Sequence, residues 1–229
     1  MRIQIKYSVL SDDKIRYYIT NGERGYPWNE SKRKDNVMVS TLVDKKKLEE
    51  AGYLILQAVN AKLSTEESKR TAQRFAAMIA ERCAFMAIDN SDIAKEFNKT
   101  FECRNNDIVI VKNIPCFSIC EHHLALMYNM KISVGYIPND RVIGLSKIAR
   151  IADAASKRLQ LQERIGEDII DVLEQILNIK DVIVHIQAEH ACVTARGIAK
   201  PGAVTETIAC DGVFCKASRK VEFLQAIKL

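Results

Sequence analysis

From residue 107 the apolar pattern of this chain moves between strand and helix periods in a fixed order, and that order leaves few folds open. Asp107-Ile-Val-Ile-Val-Lys112 is a short run rich in β-branched residues, and Met130, Ile132, Val134 and Tyr136 then alternate with their neighbours. Both stretches predict strands, in which successive side chains face opposite sides. Ile148, Ile151, Ala152 and Ala155 next keep helical spacing behind Ser146, a candidate N-cap, and Ile165, Ile169, Val172, Leu173 and Ile176 keep it over roughly 160–178. Residues 182–187 and 205–209 return to strand. The order β-β-α-α-β-β predicts an α+β layer, with two helices on one face of a four-stranded sheet. Such a sheet keeps two edges and one uncovered face, and pairing with copies of the same chain is a common way to cover edges.

The preceding half is different in kind. Ile3, Ile5, Tyr7 and Val9 alternate, Ser11-Asp12-Asp13 is a turn signal, and residues 15–19 are again strand-like, which predicts a hairpin. Residues 20–36 read as a linker. Leu48, Ala51, Ile55 and Val59 predict a helix over about 45–63, and Ser64-Thr65-Glu66-Glu67 is a capping-box start for a second helix reaching about residue 88. Ser91 is positioned to cap a short third helix. The expected organisation is an extension over 1–45, a helical region over 46–105 and an α+β domain over 106–229.

Charge follows the same division. Residues 1–47 hold 11 basic and 6 acidic side chains, a surplus equal to the +5 of the whole chain, and the remaining residues hold 23 of each sign. Nucleic acid is therefore not an expected partner, and any basic-patch argument concerns the N-terminal segment alone. Membrane is not either, since no apolar run approaches the roughly 18 residues a spanning helix needs. With no secretory signal in its first residues, the chain is expected in the cytoplasm.

Seven cysteines are an odd number in a chain large enough to fold without disulfides. Three of the four histidines lie within three residues of Cys120 or Cys192. In Cys120-Glu121-His122-His123, the i, i+3 pair Cys120 and His123 would point the same way on one helical turn, and thiolate plus imidazole suits Zn²⁺. His190 and Cys192, two residues apart, would share a side on extended backbone. Three protein ligands leave an open, reactive position, whereas four close the site. The set has one histidine too many for a Cys₂His site, which points to His122 or His190 as a proton carrier. The competing reading makes Cys120 and Cys192 core cysteines beside ordinary surface histidines. His185 has no partner in the pattern and reads as structural, and Cys116 is not expected to be a ligand.

Lys147 and Arg150 fall on one side of the first turns behind Ser146, where cations oppose the helix dipole. Free backbone N–H groups with two cations make a phosphate site there, and a solvated basic turn is the plain alternative. Arg196, four residues past Cys192, is a further cation. Gln162-Glu163 opens the next helix, and an amide beside a carboxylate can accept and donate along a guanine edge.

Together these stretches resemble GTP cyclohydrolase I: Cys120-Glu-His-His123, Gly135-Tyr-Ile-Pro138, Val142-Ile-Gly-Leu-Ser-Lys-Ile-Ala-Arg150, Gln160-Leu-Gln-Glu-Arg164, His190-Ala-Cys192 and Ala195-Arg-Gly197. The resemblance covers about 115–229. It implies the tunnelling fold, whose core order is the one read above, and a homo-oligomeric ring, usually a decamer, with active sites at subunit interfaces. It implies hydrolytic opening of the imidazole ring of GTP at C8, with loss of formate and formation of 7,8-dihydroneopterin triphosphate. By motif, Cys120, His123 and Cys192 would hold one Zn²⁺ per subunit, which acidifies water for attack at C8. His122 and His190 would carry protons. Glu163 with Gln162 would grip the guanine, and Glu121 falls among the substrate-binding positions. Ser146, Lys147, Arg150 and Arg196 would neutralise the triphosphate, together with Arg74.

The family's Thr-Pro-x-Arg-x-Ala-Lys pattern is altered here to Thr71-Ala-Gln-Arg74-Phe-Ala-Ala77, which keeps Arg74 but puts Ala72 for Pro and Ala77 for Lys. Residues 1–45 match no element of the family. Two rival functions remain. A nitrile reductase of the same fold would need a nicotinamide cofactor and a nucleophilic cysteine rather than a Cys-His-Cys set. A non-catalytic ring protein would keep structural zinc with no need of His122 and His190.

Overall fold

The computed structural model describes residues 43–62, 65, 68–104 and 106–228, together with the backbone of 3–10 and 14–21. The chain forms two compact units, Met1–Ala80 and Glu81–Leu229.

In the first unit β1 (Ile3–Leu10) and β2 (Lys14–Asn21) pair antiparallel, with Tyr7 opposite Tyr17. This is the expected hairpin, although its turn signal at 11–13 lies outside the described residues. Helix α1 (Lys45–Ala58) starts where the Asp44 carboxylate accepts from the Lys47 backbone N–H at 3.1 Å. It stops short of the expected residue 63 because Asn60 takes a left-handed conformation, with φ 53°. Of the capping-box residues, Ser64, Glu66 and Glu67 lie outside the described residues. Helix α2 (Thr71–Arg82) follows a single 3-10 turn. A Cβ on Gly52 would come within 3.0 Å of the Ala72 Cα, so α1 and α2 touch through two small residues.

The second unit carries the α+β core. After α3 (Asn90–Phe97), a small sheet joins β3 (Thr100–Glu102) to β6 (Arg141–Ile143). The main sheet has the order β7-β4-β5-β8-β9, built from β4 (Val109–Cys120), β5 (Ala125–Tyr136), β7 (Leu159–Gln160), β8 (Val182–His190) and β9 (Val204–Cys210). The four long strands run antiparallel, and β7 adds a short parallel pairing to the end of β4. Between β5 and β8 the chain forms α4 (Leu145–Ser156) and α5 (Gln162–Leu177). The β-β-α-α-β-β order is as read from the sequence, and it is the fold expected of the family that the motifs resemble.

Both helices bury the stripe their sequences predict. Ile148, Ile151, Ala152 and Ala155 of α4 and Ile165, Ile169, Val172 and Leu173 of α5 all join the core between helices and sheet. Leu177 is buried there too, whereas Ile176 only packs against it. Each large apolar side chain so buried contributes about 1.5–3 kcal/mol relative to exposure.

Helix α2 ends at Arg82 rather than near residue 88, and Asp89, not Ser91, is the N-cap of α3. Three further features differ from expectation. The first strand does not end at residue 112. Asn113 adopts a left-handed conformation at φ 60° inside a bulge, its N–H donates to Ser133 Oγ at 3.2 Å, and the strand continues through Pro115. Proline is tolerated because, among the described residues, β4 has a partner on its far side only at Ile119 and Cys120. Second, the other face of the sheet is not bare. Helix α7 (Ala217–Lys228), which the sequence reading did not include, sets Phe223 against Gly135, where a Cβ would meet the ring at 2.8 Å. Phe223, Phe214 and Ile183 form a second small core, so Ile108 and Ile110 face one side of β4 while Val109 and Val111 face the other. Third, Ser146 is not the N-cap of α4. Gly144 is, and it makes no side-chain capping bond.

Cys116 lies in the main core, where burial pushes its thiol up to about 12. Its sulfur should therefore resist iodoacetamide in the folded protein, and Cys116→Ala should retain a full complement of metal. A metal count and a peptide map of the alkylated native protein check both.

Candidate active site

Cys120 is the last residue of β4 and is buried. Its position is fixed from two sides, by Ala125 across the hairpin and by Gln160 of β7, whose carbonyl also accepts from the Glu121 N–H at 3.1 Å. Residues 121–124 form a turn, not a helical segment, and this turn brings His123 back beside Cys120. Leu124 completes the reversal in a left-handed conformation, at φ 50°.

The second half of the set arrives from β8. His190 ends that strand, and Cys192 sits in α6 (Ala191–Thr194), a single turn. The expectation that the two share a side of extended backbone is therefore replaced. The chain turns at His190, sending Cys192 towards Cys120 and leaving His190 to face α5. A polar clamp fixes this corner: the Tyr128 hydroxyl bonds Glu189 at 3.1 Å and Thr194 Oγ1 at 2.9 Å, and Thr194 donates to the His190 carbonyl at 3.1 Å. Asn129 donates to the other Glu189 oxygen at 2.7 Å. The sequence reading missed this clamp, because Tyr128 and Asn129 look like ordinary strand residues until the bulge between Tyr128 and Lys131 aligns them with Glu189.

The ligand atoms of Cys120, His123 and Cys192 all lie within 4.8 Å of one another. Bonds of about 2.0–2.3 Å at tetrahedral angles place neighbouring donors about 3.5–3.8 Å apart, so the set needs only a slight contraction to take zinc. Burial and then the adjacent Cys120 sulfur push the Cys192 thiol up, while Arg196 acts in the opposite sense. Two thiols that hinder each other's ionisation favour a cation between them. Two sulfurs and an imidazole are zinc-type donors rather than magnesium- or calcium-type.

His190 is organised by Gln162, the first residue of α5, which is only 1% exposed. The Gln162 amide nitrogen donates to the carbonyls of Ile186 and Thr205, both at 3.1 Å. Carbonyls only accept, so the amide can face one way only, and its Oε1 points at His190 Nε2 at 2.7 Å. Nε2 must then carry the hydrogen, which leaves the Nδ1 lone pair of the neutral ring unused by this contact. Burial lowers the His190 pKa and the Glu163 carboxylate partly offsets it, which keeps the ring neutral near pH 7. Glu163 itself is exposed.

Glu121 is held by Arg164, with contacts of 2.7 and 3.3 Å to its two oxygens, and this hydrogen bonding keeps its carboxyl below the usual range. The pair ties the His122-His123 turn to the first turn of α5. His122 is exposed, its ring edge-on to His123 with centroids 6.3 Å apart. Ser146, Lys147 and Arg150 occupy the first turns of α4, and the Lys147 ammonium lies 5.4 Å over the Phe97 ring. Arg196 is exposed just past α6, and Arg74 is exposed on α2 in the first unit. His185 does have a partner: Glu206 of β9 approaches its Nε2 to 3.3 Å.

The sequence model of GTP cyclohydrolase I matches residues 48–228. A Clostridium acetobutylicum protein named GTP cyclohydrolase 1 is 49% identical over 190 residues, covering 81% of this chain and 97% of the relative. A Clostridium botulinum protein of the same name is 50% identical over 178 residues, covering 75% and 91% respectively. A third, from Ruminiclostridium cellulolyticum, is 48% identical over the same length, again covering 75% and 91%.

Proposed function

The chain belongs to the GTP cyclohydrolase I family, and from that premise we propose how its residues divide the work of opening GTP at C8 to give formate and 7,8-dihydroneopterin triphosphate. The observation that carries this reading is the convergence of Cys120, His123 and Cys192 from two separate strand ends, beside a histidine held in one tautomer. Cys120, His123 and Cys192 would hold zinc. When bound there, zinc supplies a Lewis acid that makes water a competent nucleophile near neutral pH.

The protein's own groups supply the rest. His190 accepts a proton at Nδ1 and returns it as the imidazole ring opens, while Gln162 holds its other nitrogen. His122, exposed on the same turn as His123, is the second proton carrier. Glu163 accepts from the N1–H and 2-amino groups of guanine. Gln162 is reassigned from base recognition, because both ends of its amide are used inside the protein. Glu121 is likewise reassigned, from substrate contact to holding Arg164 and the start of α5. Ser146, Lys147 and Arg150 at the start of α4, which has no side-chain cap, take triphosphate oxygens, with Arg196 as a further cation.

The reading extends to assembly and location. Among the described residues β9 has no partner beyond β8 and most of β4 is open on its outer edge, so edge pairing between copies would close a ring, ten copies being the number the family resemblance implies. No helix of the described residues is long and apolar enough to cross a membrane. Seven free cysteines fit a reducing cytoplasm.

The test is direct. Zinc-loaded protein given GTP should release one formate per GTP consumed and yield a product that fluoresces as a pterin after oxidation. Bound zinc without formate release would favour a structural ring protein. Oxidation of NADPH with a nitrile-bearing deazaguanine, and no reaction with GTP, would favour the reductase.

A further inference from the structure

Cys210 and Cys215 lie outside the site described above, and neither takes part in the proposed chemistry. Cys210 ends β9 and Cys215 closes the 3-10 turn of Gly212–Cys215 that leads into α7. Their sulfurs are 3.5 Å apart, and Cys215 Sγ also lies 3.3 Å from the Cys210 carbonyl oxygen. Cys215 is exposed and Cys210 half-buried, so small reagents can reach the pair.

The turn between them is fixed by several independent contacts. The Asp211 N–H donates to the Val182 carbonyl at 2.9 Å, and the Asp181 carboxylate accepts from the Val213 N–H at 2.8 Å. Gly212 is left-handed at φ 58°, with Lys180 and Asp181 packed where a Cβ would stand. Phe214, only 1% exposed, pins the turn against Phe223, with ring centroids 6.4 Å apart. The sulfurs are thus held near each other by the fold, and forming a bond of about 2.05 Å requires them to close by only about 1.5 Å.

We propose that Cys210 and Cys215 are a redox-modifiable dithiol, which a small-molecule disulfide converts reversibly to an intramolecular disulfide. The exposed Cys215 attacks one sulfur of the oxidant as its thiolate, expelling the first small thiol. Cys210, also as thiolate, attacks the Cys215 sulfur of the mixed disulfide and expels the second. Two protein thiols are oxidised, one disulfide is reduced to two thiols, and two protons leave the cysteines for the two departing thiolates. The hydrogen bond to Cys210, and then burial, raise the Cys215 thiol above its ordinary range, which lowers its thiolate fraction and slows its attack on the oxidant. The new bond would join the end of β9 to the turn before α7, locking the lead-in to the helix that covers the second face of the sheet.

The sequence makes the test clean. Trypsin cuts after Arg196 and Lys216 but not between Lys200 and Pro201, so Cys210 and Cys215 share one peptide that contains no other cysteine. The zinc-loaded protein is treated with excess oxidised glutathione, alkylated with N-ethylmaleimide and digested. The 197–216 peptide should become lighter by two hydrogen atoms and lose all maleimide uptake, and dithiothreitol should restore both labels. In Cys210→Ser, Cys215 should stall as a stable glutathione adduct. The proposal is overturned if the wild-type peptide keeps two maleimides, or if it carries glutathione on Cys215 with Cys210 alkylated. A bond between Cys120 and Cys192 would link two other peptides and so cannot mimic the result.

Discussion

Replacing Cys192 with serine should strip the protein of zinc and lower formate release from GTP by about a thousandfold or more. Among the described residues three side chains meet at the proposed metal position, Cys192 is one of them, and a serine hydroxyl is a poor substitute for thiolate. A metal acting as a Lewis acid on water contributes several kcal/mol of barrier lowering, and each 1.4 kcal/mol or so is a factor of about ten in rate. The corner that carries Cys192 is held by Tyr128, Glu189 and Thr194, none of which the substitution touches, so the fold should persist. Metal analysis and a formate assay on the same preparation decide the matter. A variant that kept one zinc per chain and turned over GTP within tenfold of the parent would remove Cys192 from the ligand set.

The second large effect concerns the proton carriers. His190→Ala and His122→Ala should each lower turnover by about 10²–10⁴-fold while leaving zinc in place, the range expected for a lost general acid or base. Loss of metal from either variant would show that the division between ligand and proton carrier is wrong. Gln162→Leu supplies a graded comparison. It leaves the His190 Nε2–H and the Ile186 and Thr205 carbonyls without their partner, and loss of such an orienting contact costs about 10–100-fold. If folded Gln162→Leu were as inactive as His190→Ala and its KM for GTP rose in step, Gln162 would be gripping the base directly rather than orienting the ring.

Much of this molecule is legible in its sequence, for reasons that differ by element. The stripes of α4 and α5 are read correctly because each helix has one buried face, so periodicity alone identifies the residues. The hairpin at the start was found from alternation and a turn signal in the same way. The extent of β4 was not, because Asn113 and Pro115 are strand breakers locally and become acceptable only through a bulge and an open edge. Helix α7 escaped because Phe223, Leu224 and Ile227 make a narrow stripe whose partner, Gly135, lies far away in the chain.

At the site, residue types and spacing point to the Cys-His-Cys set, but the structure differs from the expected geometry on both sides. A strand end with a reverse turn replaces the helical turn at Cys120, and a corner replaces extended backbone at His190. Residue identity carries donor chemistry, whereas backbone direction depends on long-range pairing that spacing cannot report. Gln162 and Glu121 show the same limit. Both have the right chemistry for a ligand, yet their partners prove to be His190 and Arg164, already within the chain.

The short parallel pairing of β7 with β4 has a thermodynamic consequence. Gln160 is bridged to Cys120, and two residues later Gln162 opens α5 with Glu163 beside it. The proposed ion ligand Cys120 and the carboxylate proposed for the base are therefore joined through the same two-residue bridge. Any coupling carried by that bridge must be reciprocal: whatever factor zinc adds to the affinity for GTP, GTP must add to the affinity for zinc.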